Sequence, residues 1–251
     1  MKKILLSIVF LWITLLSANN TNYDLAEKCK AKGDYKSALR YSLKQLDDDL
    51  KENGRLSKDV AIDYGILGYY SEKLGEYDKA LEYNFEALRI GEKMLGKNHP
   101  SRAITYNNIG GVYRKQGKYQ EALDYYSKAL KISEKSLGKN HPSVATTYSN
   151  IGLVYKNLGK YEEALDYYSK ALKVREKVLG KNHLKTATTY SNISLVYYKQ
   201  GKYQEALNEL DKALKIQEKA LGKEHPSTKI HKVILIILKM KWQKNNKRNH
   251  K

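Results

Sequence analysis

The sequence predicts an all-α protein, a solenoid of stacked helical hairpins with a C-terminal capping helix. The pattern Gly-x-Tyr-x-x-Ala-Leu occurs five times at intervals of 42 residues, beginning at Gly33, Gly75, Gly117, Gly159 and Gly201. A second set of glycines keeps the same interval: Gly54, Gly96, Gly138, Gly180 and Gly222. A fixed period in this range is typical of repeat proteins, in which each unit buries its apolar face against its neighbours.

The composition supports a folded, strongly basic protein. The chain has 251 residues, of which 41% are apolar, so it can bury a core. Its net charge of +19 raises polyanions as possible partners. The bases are mostly lysines interspersed with Glu and Asp in every repeat, a pattern typical of a solvated surface.

The N-terminus has the layout of a secretory signal peptide. Two lysines precede an uncharged run from Ile4 to Ser17, and the small residue Ala18 follows. We therefore predict a signal peptide over residues 1–18 and an exported protein, periplasmic or secreted. The alternative is an inner-membrane tether through an uncleaved N-terminal segment, although the run is shorter than the roughly 20 residues that span a bilayer.

The fold must be stabilised by packing and not by disulfide bonds. Cys29 is the only cysteine, so no disulfide can form within the chain even after export. It falls in the first predicted helix, where we expect a small buried core residue.

Each repeat reads as two amphipathic helices, here called helix A and helix B. In the fourth repeat, apolar residues recur at helical spacing in two runs. Pro142 fits the first turn of helix A, and Gly159 favours a left-handed end to that helix. Helix B is then predicted from near Tyr161 to about Leu179.

Small residues mark the places where two helices approach closely. A glycine inside a helix costs about 1 kcal/mol relative to alanine, so its recurrence at Gly68, Gly110 and Gly152 indicates close packing. Ser194 replaces this glycine in the fifth repeat.

These positions resemble the tetratricopeptide (TPR) pattern. Its conserved positions take a large residue, then Leu-Gly, Tyr, Ala, an aromatic residue and Ala, in this order. The fourth repeat fills the slots with Tyr148, Ile151, Gly152, Tyr155, Gly159, Ala164, Tyr168 and Ala171. The third repeat fills them with Tyr106, Ile109, Gly110, Tyr113, Gly117, Ala122, Tyr126 and Ala129. The unit is longer than the common 34 residues and ends in LGKNHP, like the repeats of kinesin light chains. The resemblance implies a right-handed α-solenoid whose A helices line a concave face.

The predicted organisation follows from these repeats. An array over residues 19–224 contains repeats at 22–56, 57–98, 99–140, 141–182 and 183–224. A capping helix is predicted at 225–242 and a basic tail at 243–251. The apolar run Val233 to Leu238 is too short to cross a bilayer, but a peripheral membrane contact by this basic segment remains an alternative.

The resemblance also implies where a ligand would bind. Asn108, Asn150 and Asn192 recur at one register of helix A, and an amide can hydrogen-bond an extended peptide. An asparagine at this register contacts bound peptide in TPR relatives; the alternative is hydrogen bonding to adjacent repeats.

Further along the same helices lie residues similar to those with which TPR domains clamp acidic peptides: Arg114, Lys115, Lys156, Tyr198 and Lys199. The match is partial, because Ile104, Thr146 and Thr188 occupy a register where carboxylate-clamping relatives carry a base.

Catalytic, cofactor and metal signatures are absent from the sequence. The histidines His99, His141, His183 and His225 are spaced one repeat apart, which fits turn residues better than a zinc site. We therefore expect no enzyme, but a scaffold that binds a protein or peptide through helix A, and an acidic peptide is one hypothesis for this partner. The rival hypothesis is a polyanion, either an anionic membrane surface or nucleic acid, bound by the basic surface and tail. The predicted export argues against nucleic acid.

Overall fold

A computed structural model describes residues 22–97 and 99–249 of the protein. The predicted signal peptide at 1–18 lies outside these residues, as do the last two residues of the predicted tail. The first helix among the described residues is α1 at residues 22–31. The later helices are α2 (Tyr35–Asn53), α3 (Lys58–Leu74), α4 (Tyr77–Leu95), α5 (Pro100–Lys115), α6 (Tyr119–Leu137), α7 (Pro142–Asn157), α8 (Tyr161–Leu179), α9 (Leu184–Lys199), α10 (Tyr203–Leu221) and α11 (Pro226–Asn249).

The helix boundaries confirm the all-α prediction. In the fourth repeat, α7 begins at Pro142 and α8 spans Tyr161–Leu179, as expected from the sequence. Gly159 has φ of 74° between them, a left-handed conformation that costs glycine little.

The recurrent histidines begin the A helices. In the neutral ring, Nδ1 accepts a hydrogen bond from the backbone N–H two residues later, at 3.3 Å for His99, 3.2 Å for His141 and 3.0 Å for His183. His225 makes the same contact with the Ser227 N–H at 3.2 Å. This bond satisfies one of the free N–H groups at each helix start.

The described residues divide into two compact units at Tyr125 and Tyr126, inside α6. In unit 1, the helices α2 to α5 pack in sequence order, and α3 also contacts α5. Buried residues from α2, α3 and α4 form its core: Leu46, Val60, Leu67 and Ile90. Cys29 is only partly buried, so the expectation of a buried core residue there was wrong.

Unit 2 contains the end of α6, two complete hairpins and α11. Its clusters repeat one hairpin apart: Ala145 with Ala171 and Val174, then Ala187 with Ala213 and Ile216. Each repeat therefore buries the same small set of side chains, as a stacked array requires.

The glycine slot in helix A is a point of close packing. A Cβ at Gly152 would lie 3.0 Å from the Tyr168 ring and 3.2 Å from the Ala164 carbonyl oxygen. Ser194 occupies this slot in α9, and its hydroxyl donates a hydrogen bond of 2.6 Å to the Ala206 carbonyl. The close approach predicted from the recurrent glycine is confirmed.

Helix α11 covers the last hairpin. Leu238 is buried against α10, with Leu235 and Trp242 packed around it. The helix continues to Asn249, so it includes residues 243–249, which the sequence analysis assigned to a tail. No glycine or proline follows Pro226, so no residue in this segment stops the helix.

Candidate functional site

A groove of about 710 Å³ lies in unit 1, with walls from α1, α3, α4 and α5. Its surface is mainly apolar. Ile62 on α3 and Ile104 on α5 line it and are 48% and 60% exposed, and Met94 at the end of α4 is 47% exposed. Three large apolar side chains so exposed in one concavity are typical of a binding surface.

Two glycines keep this groove open. A Cβ added at Gly65 or Gly91 would meet no other atom within 4 Å, although both residues line the groove. The position equivalent to Gly91 holds Arg175 in α8 and Gln217 in α10. The third repeat carries the small Ser133 at this position, so among the later repeats only the last two replace Gly91 by a large side chain.

Polar groups lie at the margins of the groove. Asn108 lines it, is half-buried, and makes no side-chain hydrogen bond to any residue that the structure describes. On α1, Glu27 accepts hydrogen bonds from Lys30 at 2.9 Å and from the Tyr70 hydroxyl at 3.4 Å. The bond with Glu27 raises the pKa of Lys30, and burial raises that of Tyr70. The charge of Lys30 is thus already paired.

A second, smaller groove of about 450 Å³ lies in unit 2 between α9, α10 and α11. Asn192 and Tyr198 line it together with Ile234 and Ile237 of α11. Tyr198 is engaged by α11, because Lys241 donates a hydrogen bond to its hydroxyl and lies 4.7 Å from its ring centroid. The hydrogen bond raises the pKa of Lys241.

The other predicted site residues lie outside both grooves. Asn150 and Lys156 are half-buried and have interaction partners in the structure. Arg114 is half-buried, with a buried Nε that has no hydrogen-bond partner among the described residues. Lys115 and Lys199 are exposed. The grooves thus contain three of the eight predicted residues: Asn108, Asn192 and Tyr198.

Sequence reasoning missed the apolar lining of the unit 1 groove. Ile62 and Ile104 are one repeat apart, at the register where later repeats carry Thr146 and Thr188. A change from isoleucine to threonine at one register was the available signal. The sequence interpretation used this register only to note that a basic residue is absent from it.

Within residues 22–97 and 99–249, no group of three or more His, Cys, Asp or Glu side chains is placed to hold a metal ion. Among the same residues, no helix has both the length and the apolar character needed to span a membrane.

Comparison with known proteins identifies the family. The tetratricopeptide repeat profile matches residues 59–135, 101–177, 143–219 and 186–230. The chain therefore belongs to the tetratricopeptide repeat family, as the sequence predicted. A comparison with curated proteins found no match.

Solved structures show the same fold. BtubC (BKLC) from P. vanneervenii has a TM-score of 0.66 and 24% identity, covering 82% of each chain. A candidate kinesin light chain from Podosopora anserina has a TM-score of 0.65 and 22% identity, covering 81% of this chain and 96% of its own. The apo form of RapI has a TM-score of 0.64 and 21% identity, covering 82% of this chain and 73% of its own. Proteins of this family generally act as non-catalytic scaffolds that bind proteins or peptides.

Proposed function

We propose that the chain is a non-catalytic scaffold that binds a segment of another protein in the unit 1 groove. The observation that carries the proposal is the pair Ile62 and Ile104, which line one groove while about half of each side chain stays exposed. Fully burying an exposed isoleucine side chain contributes about 1.5–3 kcal/mol, and roughly half of that remains to be gained at each of these two residues. The segment bound is therefore one that carries apolar side chains.

Asn108 would orient the bound segment in this groove. Its amide offers two donors and one acceptor at the groove margin, and no described residue occupies them. Hydrogen bonds from this amide to the backbone of the segment would fix its direction, while apolar contacts supply most of the affinity.

The predicted preference for acidic partners has weaker support than the apolar groove. It rests on Arg114, Lys115, Lys156 and Lys199, and none of these lines the unit 1 groove. Binding that depends on apolar contacts changes little with salt, whereas a charge clamp weakens as salt rises. We expect the first behaviour.

A displayed library of random peptides, selected on the full chain, tests the proposal. We expect enrichment of peptides with apolar side chains, and we expect the double variant Gly65→Leu/Gly91→Leu to lose their binding by filling the groove. Its melting temperature should hold, because a Cβ at either position meets no other atom within 4 Å. Thr188→Leu is the matched control, since it adds an apolar side chain to an exposed position of unit 2. Unchanged binding by the filled variant, as measured by fluorescence anisotropy, would contradict the proposal.

A second pair of variants tests the asparagine. Asn108→Ala should weaken the selected peptides about 5- to 10-fold, the loss of roughly one hydrogen bond. Ile104→Thr installs the residue that later repeats carry at this register, and it should weaken binding without unfolding unit 1. If both variants bind as the parent does, the groove is not the site.

A further inference from the structure

The outer face of α11 is an exposed apolar stripe. It consists of Ile230, Val233, Ile234, Ile236, Ile237 and Met240, each between 40% and 64% exposed. Leu238 lies on the packed side of the helix against α10, and Ile234 and Ile237 form the edge of the stripe that borders the unit 2 groove. Within the described part of the chain, no helix packs over the outer face, so six large apolar side chains meet solvent there.

The charge on α11 has one sign. Residues Pro226–Asn249 contain no Asp or Glu. Lys244 and Lys247 are exposed and have no ion-pair partner among the described residues. Because residues four and seven positions apart share a helix face, both lysines continue the side that carries Val233 and Met240.

The apolar stripe and the two lysines together indicate which kind of partner covers this face. The eleven residues of helix from Ile230 to Met240 extend about 15 Å, which suits a helix lying along a surface. A second copy of α11 would bring further lysines to the contact, with no acidic residue on either helix to pair Lys244 and Lys247. A bilayer with anionic headgroups supplies both an apolar layer for the stripe and phosphates for the lysines.

We propose that the outer face of α11 docks on the surface of an anionic lipid bilayer, with the apolar stripe in the headgroup boundary and Lys244 and Lys247 on lipid phosphates. The contact is peripheral, because the helix lies on the membrane and does not cross it. It leaves the unit 1 groove uninvolved, so failure of one proposal does not decide the other.

Sedimentation with vesicles tests the charge requirement on the full chain. We expect binding to vesicles of 30% phosphatidylglycerol in phosphatidylcholine, and much weaker binding to phosphatidylcholine alone. Lys244→Gln/Lys247→Gln should weaken binding about tenfold or more, since each base near the surface contributes roughly a factor of five. Lys173→Gln/Lys177→Gln removes the same charge from exposed positions of α8 and should weaken it less than about threefold.

A fluorescent probe locates the contact, because the N-terminal apolar run could itself bind lipid. In a Cys29→Ser background, Val233→Cys labelled with an environment-sensitive dye should shift to the blue with anionic vesicles. The same dye at Lys173→Cys should not shift. Val233→Ser/Ile237→Ser, which alters exposed positions only, should reduce vesicle binding and leave the melting temperature unchanged.

Three results would overturn the proposal. The first is equal vesicle binding by the α11 and α8 charge variants. The second is no blue shift of the dye at position 233. The third is a Val233→Ser/Ile237→Ser variant whose oligomeric state changes while its lipid binding does not. The last would assign the stripe to a second copy of the chain.

Discussion

The Tyr190 hydroxyl on α9 donates a hydrogen bond of 2.6 Å to Glu176, which lies near the end of α8 in the preceding repeat. Tyr148 makes the same contact with Glu134 at 2.7 Å, one repeat earlier. Fourteen residues separate the partners each time, so the bond joins helix B of one repeat to helix A of the next. Lys232 and Glu218 continue the series as an ion pair of 3.0 Å. This polar contact therefore recurs through unit 2.

Removing a hydroxyl from this series should loosen the stacking. Tyr148→Phe and Tyr190→Phe are each expected to lower the free energy of unfolding by about 1–2 kcal/mol, because a hydrogen bond to a charged carboxylate is lost. Denaturant unfolding followed by circular dichroism measures the change. Tyr167→Phe is the control, since no described residue hydrogen-bonds to the Tyr167 hydroxyl, and an equal loss there would contradict the assignment.

Asp63 gives unit 1 a pH dependence. Burial, together with a hydrogen bond that the protonated Asp63 donates to the neighbouring Asp49 carboxyl, raises the pKa of Asp63 to about 8. The folded state therefore keeps a proton that the unfolded chain releases near its ordinary pKa of 3.8. Stability from this group is fully present below about pH 4 and is lost as the pH rises towards 8.

Asp63→Asn should remove that dependence. The amide cannot ionise, so the variant should melt higher than the parent at pH 9 and close to it at pH 5. Thermal unfolding at the two pH values measures the difference. Asp78→Asn, at an exposed position of α4, should keep the parental pH profile. A parent whose melting temperature is equal at both pH values would contradict the raised pKa.

Substitutions at the close contact between helix A and helix B should destabilise the fold in two different ways. Ser194→Ala should cost about 1 kcal/mol, because the bond to the Ala206 carbonyl is lost without a large cavity. Gly152→Ala should cost about 1–3 kcal/mol, because its Cβ would press on the Tyr168 ring at 3.0 Å. Chemical denaturation measures both, and a stabilised Gly152→Ala would show that the ring has room to move.

The histidine caps can be tested by exchange. His141→Ala should lower the free energy of unfolding by about 1 kcal/mol, the usual cost of losing an N-cap acceptor. His141→Asn keeps an acceptor at the start of α7 and should recover most of that loss. Unfolding curves of both variants decide whether the ring caps the helix or only fills the turn.

The sequence predicted well those features that depend on local chemistry. Gly159 ends helix A because a left-handed residue is needed there, and Pro142 begins it because its ring fits the first helical turn. Both requirements act within a few residues, so a repeated sequence repeats them. The same holds for the close approach at Gly152, which its recurrence inside a helix indicated.

The candidate site was predicted only in part. Asn108 lies in the unit 1 groove and Asn192 in the smaller groove of unit 2, but Asn150 lines neither. One register has different surroundings in different repeats, because the neighbouring helices carry different side chains. Gly65 and Gly91 open a space that the asparagine pattern did not indicate.

The sequence by itself determined the repeat, the ends of its helices and its family, because these depend on residues close together in the chain. The tertiary structure decided which apolar side chains remain uncovered. Ile104 and Val233 are as apolar as the buried Ile109 and Val196, and only the packing of neighbouring helices separates the two pairs. Burial depends on partners far apart in sequence, so the groove and the outer face of α11 could be located only in the folded chain.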